Sequence, residues 1–221
     1  MKVISPTFEI WTDVDGEKIL KHIERVGRVC YKSEDRITEG SAAKFVGGLI
    51  NRDHTAMIEH FSITVKFIID RGISHEIVRH RMASYAQEST RYVNYSKGKY
   101  EGDIKFIDLK GGMNLDPKVS KLPVEAFNAI YDEWINACQD AEEHYNKMIE
   151  LGATPQIARS VLPCSVKTEL VATYNMREWR HFLKLRTDKA AHPQIREITI
   201  QLLNAFKEKI PVFFDDIEVQ A

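Results

Sequence analysis

Cysteine is scarce in this chain: its 221 residues include only Cys30, Cys138 and Cys164. An odd number at such wide spacing excludes a disulfide framework and a Cys-x-x-Cys zinc site. Reduced thiols in a cytoplasmic setting are the expectation. Apolar runs are short as well. None approaches the ~18 residues that span a bilayer, and Met1-Lys2-Val3-Ile4-Ser5-Pro6 lacks the apolar core of a signal peptide. Excess charge is missing too. A formal net charge of -1 gives no field for non-specific nucleic-acid binding, so any basic site must be local. There is no Gly-x-Gly-x-x-Gly and no Walker loop, so a nucleotide site here is not of the Rossmann or P-loop kind. His75 and His80 stand five apart where a helical zinc pair needs four, and no carboxylate cluster serves a metal-dependent hydrolase. No metal is expected.

What remains is an ordinary globular composition, 43% hydrophobic and 29% charged, which suits one domain over residues 1–221. Residues 3–11 alternate loosely and predict a first strand. Ile19, Leu20, Ile23, Val26 and Val29 recur at helical spacing and predict a helix over 15–31. Ser41 reads as the cap of a second helix through residue 50, in which Gly47 and Gly48 weaken the helix or admit a close backbone. Strict alternation and β-branching make 61–69 the clearest strand. Residues 74–81 read as helical, and a short strand over 104–109 sits in a glycine- and lysine-rich stretch, 97–112. Pro123 opens the longest helix, with Phe127, Ile130, Tyr131, Trp134, Ile135, Cys138 and Tyr145 on one broad apolar face, and Gly152 ends it. Thr154-Pro155 starts a short helix to residue 161. A strand over 167–174 follows, then a helix over 176–186 with Trp179, Phe182, Leu183 and Leu185 apolar, and a last helix over 193–209. Without regular βαβ alternation the expected class is α+β, a mixed sheet packed with helices.

Two basic blocks carry the chemistry. The first is Arg79-His80-Arg81-Met82-Ala83-Ser84-Tyr85-Ala86-Gln87-Glu88-Ser89-Thr90-Arg91-Tyr92, with one acid among three arginines. On a helix, residues 79–81 would fan over roughly 200°, too wide for one solvated stripe. Guanidinium forks match phosphate or carboxylate, and Ser, Thr and Gln add neutral donors and acceptors. Such a stretch suits a small anionic, hydrogen-bonding molecule. No base is legible beside Ser89, so it reads as a ligand rather than a nucleophile. The second block, 172–186, holds Asn175, Arg177, Arg180, His181 and Arg186. The alternative reading of both blocks is a non-catalytic nucleotide- or RNA-binding module.

Arg79-His80-Arg81, seven residues and then Ser89 resembles the signature of the flavin-dependent thymidylate synthase family. Asn175-x-Arg177 with the later Leu185-Arg186 resembles that family's C-terminal motif. The resemblance runs from about His54 to the last helix. It implies a non-Rossmann α+β fold and reductive methylation of dUMP to dTMP. It also implies FAD as cofactor, NADPH and methylenetetrahydrofolate as co-substrates, and a homotetramer with shared active sites, without nucleic acid or membrane as partner. It implies no cysteine nucleophile, so Cys164 reads as packing. Carried over, it places Glu76, Arg79, Gln87, Glu88, Ser89, Thr90, Arg91, Arg159 and Arg186 at dUMP, with Arg159 on the phosphate. It places His54, Ala56, Arg79, His80, Arg81, Gln87, Asn175, Arg177 and His181 at FAD. Arg186 is the catalytic residue by this resemblance, holding negative charge on the uracil ring. A guanidinium suits that role because it stays charged at any working pH. The chain departs from the family pattern at Ala86-Gln87 for Asn-Glu, at His181 for Asn and at Glu76 for Gln.

Overall fold

The computed structural model describes residues 1–95 and 103–219; part of the expected glycine- and lysine-rich stretch, 97–102, lies outside the described residues. The strands are β1 (Lys2–Ile4), β2 (Thr7–Ile10), β3 (Ser62–Asp70), β4 (Ala83–Gln87), β5 (Lys105–Ile107) and β6 (Lys167–Asn175). The helices are α1 (Gly16–Tyr31), α2 (Ser41–Asn51), α3 (Arg71–Ile77), α4 (Lys110–Leu115), α5 (Val124–Glu150), α6 (Pro155–Ala158), α7 (Met176–Arg186), α8 (Pro193–Lys209) and α9 (Pro211–Phe214).

β3 and β6 form the spine. They pair antiparallel from Ser62 opposite Asn175 to Asp70 opposite Lys167. β2 and β4 flank them in the order β2-β3-β6-β4, while β1 and β5 make a separate parallel pair. The period of two turns Ile63, Val65, Phe67, Ile69, Leu170, Ala172 and Tyr174 to one buried face. They share a core with Ile19, Leu49, Trp179, Phe182, Leu202 and Phe206, so α1, α2, α7 and α8 cover that face. Each Val, Leu, Ile or Phe among them contributes about 1.5–3 kcal/mol by leaving water. The opposite face is polar. Thr64 and Thr173 hydroxyls meet at 2.8 Å, and Glu169 joins Lys66 (2.9 Å) to Lys167 (2.7 Å). The Lys167 hydrogen bond, with Lys66 behind it, holds the Glu169 carboxyl down at about 2. A smaller core of Tyr95, Ile104, Phe106, Cys138, Tyr145, Ala158 and Val166 lies where α5 packs.

Several elements differ from expectation, each for a local reason. The strand over 3–11 breaks at Pro6, which has no N–H to donate, and its halves join different sheets. The helix expected over 74–81 is α3, which starts earlier because the Asp70 carboxylate caps it, accepting from Ile73 N at 2.6 Å. Arg79, His80 and Arg81 therefore lie beyond the helix. Residues 83–87 are a strand rather than a continuation of it. Gly40, at φ 78°, caps α2 in place of Ser41, whose hydroxyl instead donates to the buried Glu24. The approach that Gly48 admits is the Arg52 side chain, not a backbone. On α5 only Cys138 and Tyr145 are fully buried; Phe127, Tyr131, Trp134 and Ile135 are half-buried, and Ile130 is exposed. Val29 and Leu185 are exposed, not core. Cys164 is exposed as well, which corrects its reading as a packing residue. α9 follows the helix expected to be last.

α4 lies against α8 with the Glu197 carboxylate pressed onto Gly111, where no side chain larger than hydrogen would fit. One Glu197 oxygen is buried without a hydrogen-bond partner among the described residues. Burial, then the charges of Asp108 and Asp70, push this carboxyl up to about 7 from the ordinary 4.5. A raised folded-state pKa means that the native chain holds a proton the unfolded chain has lost. The resulting penalty is absent below pH 4.5, grows between 4.5 and 7, and is complete above 7. At full strength the shift would be worth about 3 kcal/mol; water around this half-buried group screens part of it and leaves about 1–2 kcal/mol, so Glu197→Gln should raise Tm at pH 8 by roughly 3–8 °C and leave it unchanged at pH 4. Equal melting curves for the two proteins at pH 8 would show that the carboxylate is solvated.

Candidate active site

The β6–α7 junction builds the site. Asn175 ends β6 and caps α7, its Oδ1 accepting from Glu178 N at 2.9 Å. This fixes the first turn of α7 and brings the Glu178 carboxylate to His80, 2.9 Å from Nδ1. The other imidazole nitrogen, Nε2, lies 3.1 Å from Arg186 Nε at the far end of the same helix. A guanidinium N–H only donates, so His80 Nε2 must be the bare nitrogen and Nδ1–H must donate to Glu178. The electrostatics agree. Burial first, and the Arg186 charge with it, push the His80 pKa below 6.5 against the pull of Glu178. The ring is 5% exposed and meets Phe182 edge-on at 4.9 Å. Arg186 is completed by Glu76, whose carboxylate accepts from Nη1 at 2.7 Å and whose carbonyl accepts from Nη2 at 2.9 Å.

The peptide at His80 is pinned from β4. Tyr85 donates to the His80 carbonyl at 2.6 Å, and its hydroxyl also meets Tyr174 OH at 2.9 Å. His80, Glu178 and His181 bring ligand atoms within 4.8 Å of one another. A cation there would need the His80 Nδ1 proton removed and would sit beside a guanidinium, so the arrangement is a hydrogen-bond chain rather than a metal centre.

The remaining expected residues fall into two groups around this chain. Gln87 donates to Ser74 Oγ at 2.8 Å, which commits part of its amide. Glu88 is bound to Lys167 (2.9 Å) and to Glu169 N (3.2 Å). Ser89 Oγ accepts from Arg91 N at 3.3 Å, and Arg159 donates to Thr90 Oγ1 at 2.9 Å, so the 89–91 turn and Arg159 meet across 69 residues. On the other side, the turn Thr55–His60 packs beside α7. It carries the exposed Ala56 and ties Glu59 to Arg177 at 2.6 Å. His54 Nδ1 lies 2.6 Å from the Tyr31 hydroxyl. Arg79, Arg81, Arg91 and His181 are exposed, and among the described residues none of the three arginines has an acidic partner. Sequence reasoning missed Glu178, Tyr85 and Tyr174. Glu178 did leave a signal, because Asn175-x-x-Glu178 is a helix-start pattern. Here the Glu turns to His80 instead of back to the cap.

A family model described as thymidylate synthase complementing protein matches residues 15–212. The flavin-dependent thymidylate synthase of Corynebacterium efficiens is 33% identical over 223 residues, spanning 97% of this chain and 86% of that protein. That of Mycobacterium marinum is 31% identical over 224 residues, spanning 98% and 86%. Among solved structures, a UMP/dUMP methylase PolB from Streptomyces cacaoi bound with 5-Br dUMP superposes with a TM-score of 0.78 at 25% identity, covering 97% of this chain and 96% of that one.

The hydrogen-bond chain predicts the state of one ring. At pH 6.5 an unperturbed histidine is half protonated; His80 should be mostly neutral, with its proton on Nδ1. Long-range 15N–1H correlation on histidine-labelled protein reads both features. A doubly protonated His80 at pH 6.5, or a neutral ring carrying its proton on Nε2, would contradict the bond to Arg186.

Proposed function

The chain belongs to the flavin-dependent thymidylate synthase family, and from that premise we propose that it methylates dUMP to dTMP as a single domain over residues 1–221. The proposal includes FAD, NADPH, methylenetetrahydrofolate, a homotetramer and a cytoplasmic setting. The observation that carries it is Arg186, a permanently charged group oriented by His80 Nε2 and the Glu76 carbonyl. Family membership sets aside the non-catalytic binding module.

The residues fit a flavin. Arg79 and Arg81 are exposed and without acidic partners among the described residues, as an anionic pyrophosphate requires. Asn175 and Arg177, beside the Thr55–His60 turn that follows His54, offer further polar contacts. When bound, reduced flavin supplies the electrons that convert a transferred methylene into a methyl group. The chain's own residues prepare the pyrimidine. Arg159 and Arg91, beside Ser89 and Thr90, hold the nucleotide phosphate. Arg186 Nη1 exchanges the Glu76 carboxylate for the uracil ring, and its charge stabilises negative charge delocalised over N3 and the ring oxygens. Electron density at C5 rises in consequence. Gln87, whose amide nitrogen is held by Ser74, keeps its carbonyl oxygen for a donor on a bound ligand. His80 and Glu178 do not touch the substrate in this scheme; they fix the guanidinium.

Purified protein should be yellow, bleach with NADPH and form dTMP from dUMP and methylenetetrahydrofolate. Arg186→Lys keeps the charge but loses the planar fork. Losing such a preorganised donor typically costs roughly 100-fold or more in rate, so dTMP formation should fall by that order while flavin bleaching by NADPH continues. Equal slowing of both, followed in one sample, would mean that Arg186 holds the flavin or the fold instead.

A further inference from the structure

The C-terminal end of α1 builds a second anion site. Lys32 closes the helix in the left-handed region, at φ 47° and ψ 51°, a conformation that favours glycine and is costly for a side chain. The turn carries Ser33 inward. Ser33 is 8% exposed, and its hydroxyl is buried with no hydrogen-bond partner among the described residues. It lines a cavity of about 430 Å³ together with Lys32, Asp35, Arg36 and Arg52, walled by Tyr31 and Phe45. That volume lies within the ~300–1,000 Å³ of small-molecule sites.

The charges are unevenly spent. Arg28, also in the wall, is neutralised by the buried Glu24 at 2.8 Å and lies over the Phe45 ring at 4.2 Å. Lys32, Arg36 and Arg52 make no ion pair among the described residues. Asp35 is the one acid of the lining, so the cavity keeps two uncompensated positive charges. A smaller cavity shares Arg28, Phe45 and Arg52 and adds Lys44. A phosphate monoester brings about −1.5 to −2 charges and three acceptor oxygens, which answers the cations and the Ser33 hydroxyl together. The aromatic walls suit an attached ring. Tyr31 joins this cavity to the other site, because its hydroxyl bonds His54.

We propose that this cavity binds the 2′-phosphate of NADPH and so selects NADPH over NADH. The assignment rests on the function proposed above. There the dUMP phosphate is taken by Arg91 and Arg159 and the flavin pyrophosphate by Arg79 and Arg81, so NADPH is the phosphorylated co-substrate without a site.

The test uses flavin-loaded protein and a triple variant, Lys32→Gly, Arg36→Gln and Arg52→Gln. All three side chains are exposed, and glycine relieves the left-handed backbone at 32, so folding should be kept; circular dichroism checks it. Calorimetric titration with adenosine 2′,5′-bisphosphate should show binding to the parent that weakens with salt and falls about ten-fold or more in the variant. The KM for NADPH should rise by a similar factor, with the KM for NADH and for methylenetetrahydrofolate changed less than two-fold. Unchanged bisphosphate affinity overturns the proposal. So does a rise confined to the KM for methylenetetrahydrofolate, which would assign the cavity to the folate's carboxylates. A parent that binds the bisphosphate through these residues yet makes no dTMP with any donor would sink the thymidylate synthase reading and leave the phosphate site standing.

Discussion

Everything at the site depends on keeping one guanidinium charged, dry and still. Arg186 meets that demand through His80, and His80 meets it only while its Nε2 carries a lone pair. A protonated imidazole would set donor against donor at 3.1 Å. Two features enforce neutrality: burial of the ring and the guanidinium charge itself. Glu178 then selects the tautomer by accepting from Nδ1. The chain Glu178–His80–Arg186–Glu76 thus joins both ends of α7 to the last turn of α3 and the segment that follows it. The cap at Asn175 and the hydrogen bonds of Tyr85 make both sides rigid. A point charge on a flexible stem could not be fixed in this way, which is why the fork geometry of arginine matters here.

The pairing of cations sorts structure from recognition across the molecule. Lys66 and the buried Lys167 on the polar face of the sheet are matched by Glu169 and Glu88, and Arg180 by Asp216 at 2.6 Å. These pairs hold strands and helices together. Arg79, Arg81 and Arg91, and separately Lys32, Arg36 and Arg52, are left unmatched among the described residues. A net charge of -1 shows that acids were available. That none of these six groups is in an ion pair is a matter of placement, and on the proposed readings an anion from outside completes the balance of each set.

Much of this could be read from the sequence where a single physical signal dominates. β3 and β6 alternate strongly, and α7 and α8 combine helical spacing with Asn175 and Pro193 at their starts, so their bounds fell within a residue or two of expectation. β4 was illegible because Ala83-Ser84-Tyr85-Ala86-Gln87 has little intrinsic β preference. It is a strand because β6 offers a free edge. The shift of α3 came from Asp70, which alternation assigns to the strand and capping assigns to the helix. At the site, Arg186, His80 and Glu76 were recognisable through the family motif. Their mutual contacts were not, because they bring together residues about a hundred positions apart. The interior role of Lys167 was hidden for the same reason: a lysine reads as surface until Glu88 and Glu169 appear beside it.

Glu76 gives the site a further property. Its carboxylate lies 2.7 Å from Arg186 Nη1, while its carbonyl and His80 hold the rest of the guanidinium. A ligand on Arg186 therefore replaces a carboxylate instead of entering an open site. A neutral amide at position 76 would hold the same geometry with less attraction, and a pyrimidine would displace it more easily. The glutamate raises the threshold: a ring that accumulates negative charge as it reacts competes with a carboxylate better than one that stays neutral. On the proposed reading, this departure from the family pattern trades ground-state affinity for discrimination in favour of the ionised ring. It leaves the transition-state interaction with Arg186 intact.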